Sequence, residues 1–150
     1  MDNDYHKRGD LMHIQMAGLD EILNNLARLP FEDEEENAVA NTGAKVVQKY
    51  IVAEVPSSSD KKKKIKLKKN IKIQRARNGE AKIHTGKAYH GHILEFGRSA
   101  GSTIVKKNGK TQKVTWGKIN PNPFFTRGSN ASESEAKQAM ANEIRKLKNL

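Results

Sequence analysis

The chain has 150 residues, of which 35% are hydrophobic and 30% are charged, and its formal net charge is +11. This length is typical of one domain with a modest core, and the polar composition predicts exposed tails or loops around that core. The sequence contains no cysteine, which excludes disulfides and thiolate metal sites. No apolar run approaches the roughly 20 residues that a membrane helix needs. The excess of positive charge points to an anionic partner, with nucleic acid as the first candidate.

The first third of the chain predicts two helices after a disordered tail at residues 1–15. Leucine and isoleucine recur at helical spacing over residues 18–29, and a proline follows. A second helix is predicted from the acidic block at residues 32–36 to Val55, because acids suit the positive end of a helix dipole. The acidic block consists of Glu32, Asp33, Glu34, Glu35 and Glu36.

The middle of the chain predicts strands joined by tight turns. Apolar and basic residues alternate over residues 65–77, which indicates a half-buried strand. Asn78-Gly79 predicts a hairpin turn into a return strand at 80–85, because both residues tolerate a positive φ. Residues 88–96 fit either a strand or a short helix. A second hairpin is predicted at 103–116, where its turn is again Asn-Gly.

The last element is a helix that is predicted to begin at Ser132, with Glu135 completing a capping box. Two helices, at 33–55 and 132–150, are expected to pack on the sheet formed by 65–77 and 80–85. The fold class is therefore α+β: an antiparallel sheet packed by a long helix and a C-terminal helix, with an extra inserted hairpin. Residues 16–150 are expected to form a single domain.

A run of lysines gives the sharpest charge feature of the sequence. Residues 61–77 contain ten Lys or Arg and no acid, which favours contact with phosphates, and a solvated loop is the alternative. Residues 56–88 contain no aromatic side chain, so the stacking platform of a single-strand binder is absent. The residues predicted to line a DNA channel or an interface are Lys61, Lys62, Lys63, Lys64, Lys66, Lys68 and Lys69.

Catalytic and metal-binding patterns are weak in this sequence. His90 and His92 would face one way on a strand, but only Glu95 lies near them as a further ligand. No nucleophile elbow and no phosphate-binding loop is present. Most acids lie in the acidic block or on the last helix, where capping and solvation explain them. The sequence therefore predicts a protein that is not an enzyme and that has no cofactor.

Several segments together resemble the neck, or head–tail joining, family of tailed phages. They are Gly18-Leu19-Asp20-Glu21-Ile22-Leu23-Asn24-Asn25-Leu26, Ala44-Lys45-Val46-Val47, Tyr89 with Leu94-Glu95-Phe96-Gly97, and Asn122-Pro123-Phe124-Phe125 before a long helix. The last two groups are the most specific, and most of their residues are expected to build the fold core, Leu94 and Phe96 included.

The resemblance implies a structural subunit of the virion neck, assembled in the host cytoplasm, without a membrane partner. It implies a ring of six or twelve copies between a head-closure or adaptor protein and a tail-terminator protein, around the path of the DNA. The acidic block and the lysines are expected either to pair between neighbouring subunits or, for the lysines, to meet DNA. The hairpin at 103–116, with Val105 and Trp116, is expected to project from the body and to make inter-subunit or partner contacts. The leading alternative is a basic nucleic-acid-binding protein.

Overall fold

A computed structural model describes residues 14–15, 29–57 and 66–150. The α+β class predicted from the sequence is confirmed, with two small antiparallel sheets and two long helices. The first-helix prediction, apart from Leu29, and the lysines at 61–64 lie outside the described residues. The elements are β1 (Ile14–Gln15), α1 (Asp33–Glu54), α2 (Leu67–Asn70), β2 (Lys72–Arg77), β3 (Glu80–His84), α3 (His90–Phe96), β4 (Gly101–Lys107), β5 (Lys110–Trp116) and α4 (Phe124–Leu147).

The core is built around the antiparallel pair of α1 and α4. Helix α1 buries a stripe with helical spacing that consists mainly of small side chains, so α4 can approach closely. The approach is tightest at Gly128, where an added Cβ would lie 2.6 Å from the Cα of Ile51. From α1 and α4 the buried core residues are Val39, Ala40, Ala44, Val47, Ile51, Phe124, Phe125, Ala136, Met140 and Ile144.

A three-stranded sheet in the order β1-β3-β2 lies against α1. Within it, Ile73 pairs with Ile83 across the β2–β3 hairpin, and Ile83 is fully buried. Helix α1 is the element that contacts both the sheet and α4. The expectation that the C-terminal helix packs on the sheet was therefore wrong in this respect, because α4 buries its apolar stripe mainly against α1.

Three element boundaries in the structure differ from those predicted from the sequence. Residues 67–70 form a helical turn, with Leu67 buried, so the strand predicted at 65–77 begins only at Lys72. Helix α4 begins at Phe124, eight residues before the predicted start at Ser132. Ser132 is not a cap, because it lies within α4 rather than at its start. Its side chain is buried, and its hydroxyl donates to the carbonyl of Ser129 at 2.8 Å. The predicted tail at 1–15 includes β1, which pairs with β3.

Candidate interaction surfaces

A buried carboxylate joins the two most specific sequence motifs. Glu95, on α3, is 3% exposed, and its Oε2 accepts a hydrogen bond from the Phe125 amide at 2.9 Å. Its Oε1 accepts from the amide and the hydroxyl of Thr126. These amides belong to the first turn of α4, where backbone N–H groups have no partner inside the helix. Glu95 thus caps α4 from another helix and places a negative charge at the positive end of its dipole.

Gly97 ends α3 in a conformation that only glycine adopts readily, with φ at 72°. A Cβ there would lie 2.7 Å from the Ile119 carbonyl oxygen and 2.9 Å from the Pro121 ring. Beyond it, Arg98 and Ile119 exchange backbone hydrogen bonds at 2.9 Å, and the Asn122 amide donates to the Leu94 carbonyl at 2.8 Å. The segment before β4 is therefore fastened to the segment after β5, next to the start of α4.

Two aromatic residues of the most specific motif lie on the surface. Tyr89 is 71% exposed and Phe96 is 57% exposed, so the expected burial of Phe96 was wrong, while Leu94 packs partly buried against the core. The rotation of α3 about its axis explains this exposure, because Gly91 and Glu95 are the residues of the helix that face the core. Tyr89 is the N-cap of α3 with helical dihedrals, and a separation of seven residues puts it on the same face as Phe96, about 10 Å apart. This pair is called the aromatic face.

The β4–β5 hairpin extends from the body of the protein. Thirteen of its fourteen strand residues are exposed, and only Trp116 is half-buried. Trp116 covers the opposite Gly101, and its Nε1 donates to the Ser99 carbonyl at 3.2 Å. Ile104, Val105 and Val114 are 69%, 37% and 40% exposed. The predicted hairpin is confirmed as secondary structure, and these three apolar side chains lie uncovered on its two faces.

Positive charge extends well beyond the lysines that the sequence pattern emphasised. Residues 66–118, called the basic segment, contain fourteen Lys or Arg and two acids, Glu80 and the buried Glu95. Five of these lysines belong to the second hairpin and its base, and all five are exposed: Lys106, Lys107, Lys110, Lys113 and Lys118. The sequence alone does not indicate this cluster, because no more than two of these lysines are adjacent in the chain and antiparallel pairing brings them together. Lys66, Lys68 and Lys69 are exposed on or beside α2.

The acidic block occupies the first turn of α1 and the residue before it. Glu35 is the member with an ionic partner among the described residues: its Oε2 lies 2.6 Å from Lys148 Nζ and also accepts from the Glu32 amide at 3.1 Å. The hydrogen bond from Lys148 is the main reason that the pKa of Glu35 is lowered. Glu32, Asp33 and Glu34 are exposed to solvent. The block is therefore partly used inside the chain and partly available to a partner.

His90 and His92 lie on a helix rather than on one face of a strand, so they point in different directions. Within 29–57 and 66–150, no group of three or more His, Asp or Glu side chains is arranged to hold a metal ion. None of the helices in these described ranges is both long and apolar enough to cross a membrane.

The profile of one protein family matches the chain over residues 18–97, and that family is described as "Bacteriophage HK97-gp10, putative tail-component". The chain belongs to the HK97-gp10-like family. Membership gives it a structural role in a bacteriophage, in agreement with the resemblance noted in the sequence. Neither the curated proteins nor the solved structures compared with it gave a match.

The family match ends at Gly97, directly before the β4–β5 hairpin. The HK97-gp10-like region thus contains α1, the β2–β3 hairpin and α3, whereas the second hairpin and α4 follow it. Glu95 is the residue that ties this region to α4. The aromatic face also lies inside the matched region, close to its end.

Proposed function

We propose that the protein is a ring-forming subunit of the phage neck, placed between the head-closure or adaptor protein and the tail terminator. The observation that carries this proposal is the HK97-gp10-like match over residues 18–97. In a ring of six or twelve copies, each subunit presents two different surfaces to its two neighbours, and the rotation between copies closes the ring.

Two surfaces on the described residues support a role in assembly. The aromatic face, Tyr89 and Phe96, exposes large apolar rings within the family region, and aromatic residues are enriched at protein interfaces. The basic segment provides lysines and arginines suited to a DNA path, since phosphate contacts are electrostatic and independent of sequence. A subunit with both features suits a junction through which DNA passes.

The proposal is tested by removing the protein from an otherwise complete phage. We expect DNA-filled heads and finished tails to accumulate unjoined, and purified protein to restore joining when it is added to the mixture. A gold-labelled copy should lie at the junction between head and tail. Empty heads, missing tails, or label along the tail shaft would contradict a neck position. A variant with Tyr89→Ser and Phe96→Ser should fold normally but fail to restore joining.

A second candidate function, a basic nucleic-acid-binding protein, is favoured by the charge of the basic segment. On that alternative, purified protein binds duplex DNA in the absence of any phage component, and its affinity falls with salt by a log–log slope near −0.9 per neutralised phosphate. Replacing Lys61–Lys64 by serine tests the lysine run separately from the hairpin. Tight binding by a protein that is dispensable for joining heads to tails would favour this second candidate.

A further inference from the structure

The β4–β5 hairpin carries a charge pattern that is unfavourable in an isolated subunit. Lys107 and Lys110 lie directly opposite each other at its tip, and like charges in that position destabilise a strand pair. Lys106 and Lys113 lie on the other face, and residues 98–118 contain no acid to compensate them. An anionic partner from outside its own strands would relieve this repulsion.

The same strands also leave apolar side chains uncovered. By the pairing register, Val105 and Val114 share one face with the tip lysines, while Ile104 shares the other with Lys106. A partner that suits this hairpin should combine carboxylates with apolar contacts. Phosphates alone would leave the isoleucine and valines exposed to water.

The first turn of α1 offers that combination. Glu32, Asp33, Glu34 and Glu36 have no cationic partner among the described residues, since Lys148 is occupied by Glu35 and Lys146 lies 4.0 Å from Glu143. Leu150, which follows the end of α4 on the same side of the molecule, is 71% exposed. Asp33 and Glu34 are thus exposed acids without a cationic partner among the described residues, and Leu150 is exposed at the same end of the helix pair.

The hairpin and the acidic block lie at opposite ends of the same helix pair. Lys148 contacts Glu35 at one end of α1, whereas Arg127 contacts Glu54 at the other end, at 2.9 Å. The base of the hairpin adjoins the start of α4 through Asn122, whose Oδ1 accepts from Arg127 at 2.8 Å. Helix α1, with 22 residues, separates the two ends by about 32 Å. The hairpin makes no substantial contact with any other described element.

We propose that the β4–β5 hairpin of one subunit docks on the acidic first turn of α1 in a second copy. The two surfaces are different and lie at opposite ends, so the contact is head-to-tail and can repeat from copy to copy. The seven-residue strands give the hairpin a reach of about 23 Å. This contact specifies which two surfaces meet in the proposed ring. It rests on the proposed function only in assuming that copies of the subunit associate.

Charge reversal at both surfaces tests the contact. Lys107→Glu with Lys110→Glu, and separately Asp33→Lys with Glu34→Lys, should each weaken self-association by about tenfold or more, as measured by sedimentation. An equal mixture of the two variants should recover association, because each reversed surface then meets its complement on the other variant. Lys45→Glu with Lys87→Glu reverses two exposed lysines outside the hairpin, and this control should associate like the wild type.

Cysteine cross-linking provides a test that does not depend on charge. The chain has no native cysteine, so Glu34→Cys combined with Lys110→Cys introduces one possible pair. We expect disulfide-linked dimers and higher ladders on oxidation, since the two positions are too far apart to join within one subunit. A matched pair, Glu34→Cys with Lys45→Cys, should give no ladder.

Several outcomes would overturn the contact. They are wild-type protein that remains monomeric at its highest soluble concentration, unchanged association of either reversed variant, no recovery in the mixture, or loss of DNA binding alone in the hairpin variant. The last result would assign the hairpin to nucleic acid. None of these outcomes decides whether the protein lies in the phage neck, because labelled particles test that location independently. Failure of the hairpin contact can therefore be distinguished from failure of the proposed function.

Discussion

The two hairpins of this protein share a turn but differ in everything that surrounds it. Asn78-Gly79 and Asn108-Gly109 have nearly identical backbones, with φ of 53° and 73° in the first and 52° and 73° in the second. The β2–β3 hairpin lies inside the family region and packs on α1, with Ala81 and Ile83 fully buried. The β4–β5 hairpin lies outside that region and makes no substantial contact with any other described element.

Side chains from α1 account for part of this difference. The Oδ1 of Asn41 accepts from the Ala76 amide at 2.9 Å, and the Oδ1 of Asn37 accepts from the Gly79 amide at 3.0 Å. Helix α1 therefore fixes the position of the first hairpin through its strand and its turn. The second hairpin has the same local signal but no such support, and an isolated hairpin is only marginally stable in water. A strong turn sequence thus specifies local geometry, while the role of a hairpin depends on what covers it.

The largest expected effect comes from truncating one isoleucine in each of the two hairpins. Ile83→Ala should lower the free energy of unfolding by about 2–5 kcal/mol, because it leaves a cavity in the core. Ile104→Ala removes an exposed side chain and should change it by less than about 0.5 kcal/mol. Denaturant titration of both variants gives the comparison. Equal losses would mean that the second hairpin is covered in the folded subunit.

Glu95 lies at the junction between the two regions, and removing its carboxylate should have the next largest effect. Glu95→Ala leaves the Phe125 and Thr126 amides without their acceptor and should cost about 1.5–3 kcal/mol. Glu95→Gln keeps one acceptor oxygen and should lose less. Thermal melting measures both. If the two variants melt like the wild type, solvent satisfies these amides and the proposed cap contributes little.

The asparagines on α1 should contribute less. Asn41→Ala removes the acceptor of one partly buried amide and should cost about 1 kcal/mol. Hydrogen exchange should then increase at Ala76 and neighbouring amides of β2, whereas exchange in β4 and β5 remains as in the wild type. Thr42→Ala, which loses a hydroxyl bonded within α1 to the Ala38 carbonyl, is a control at the next position. Faster exchange in both hairpins would show that they unfold as one unit.

The smallest effect on stability should follow from removing the second hairpin altogether. Replacing residues 101–116 by Asn-Gly leaves a short connection between Arg98 and Ile119, whose backbones remain bonded. The unfolding free energy should change by less than about 0.5 kcal/mol, since almost all of the removed surface is exposed. Self-association should be lost in the same variant. A protein that no longer folds would show that the hairpin supports the body.

The sequence predicted the elements whose signals are local. Periodicity located α1, and the Asn-Gly turns located both hairpins, because these patterns depend on residues close together in the chain. The early start of α4 was missed because Gly128 and Ser132 resemble loop residues, although they are small to admit α1. Burial of Glu95 and exposure of Phe96 depended on the phase of α3, which the local pattern left open. The clustering of hairpin lysines required the strand register.

The backbone hydrogen bonds between Arg98 and Ile119 make the stability of the rest of the domain nearly independent of the length of the second hairpin. Because the two backbones are bonded to each other before the hairpin begins, loop-closure entropy for a longer or shorter excursion changes only slowly with its length. Residues 99–118 are thus a position where foreign sequence can be exchanged at little thermodynamic cost. An epitope, a fluorescent domain or a hairpin of different charge inserted there should leave the helix pair intact and alter only what the subunit recognises.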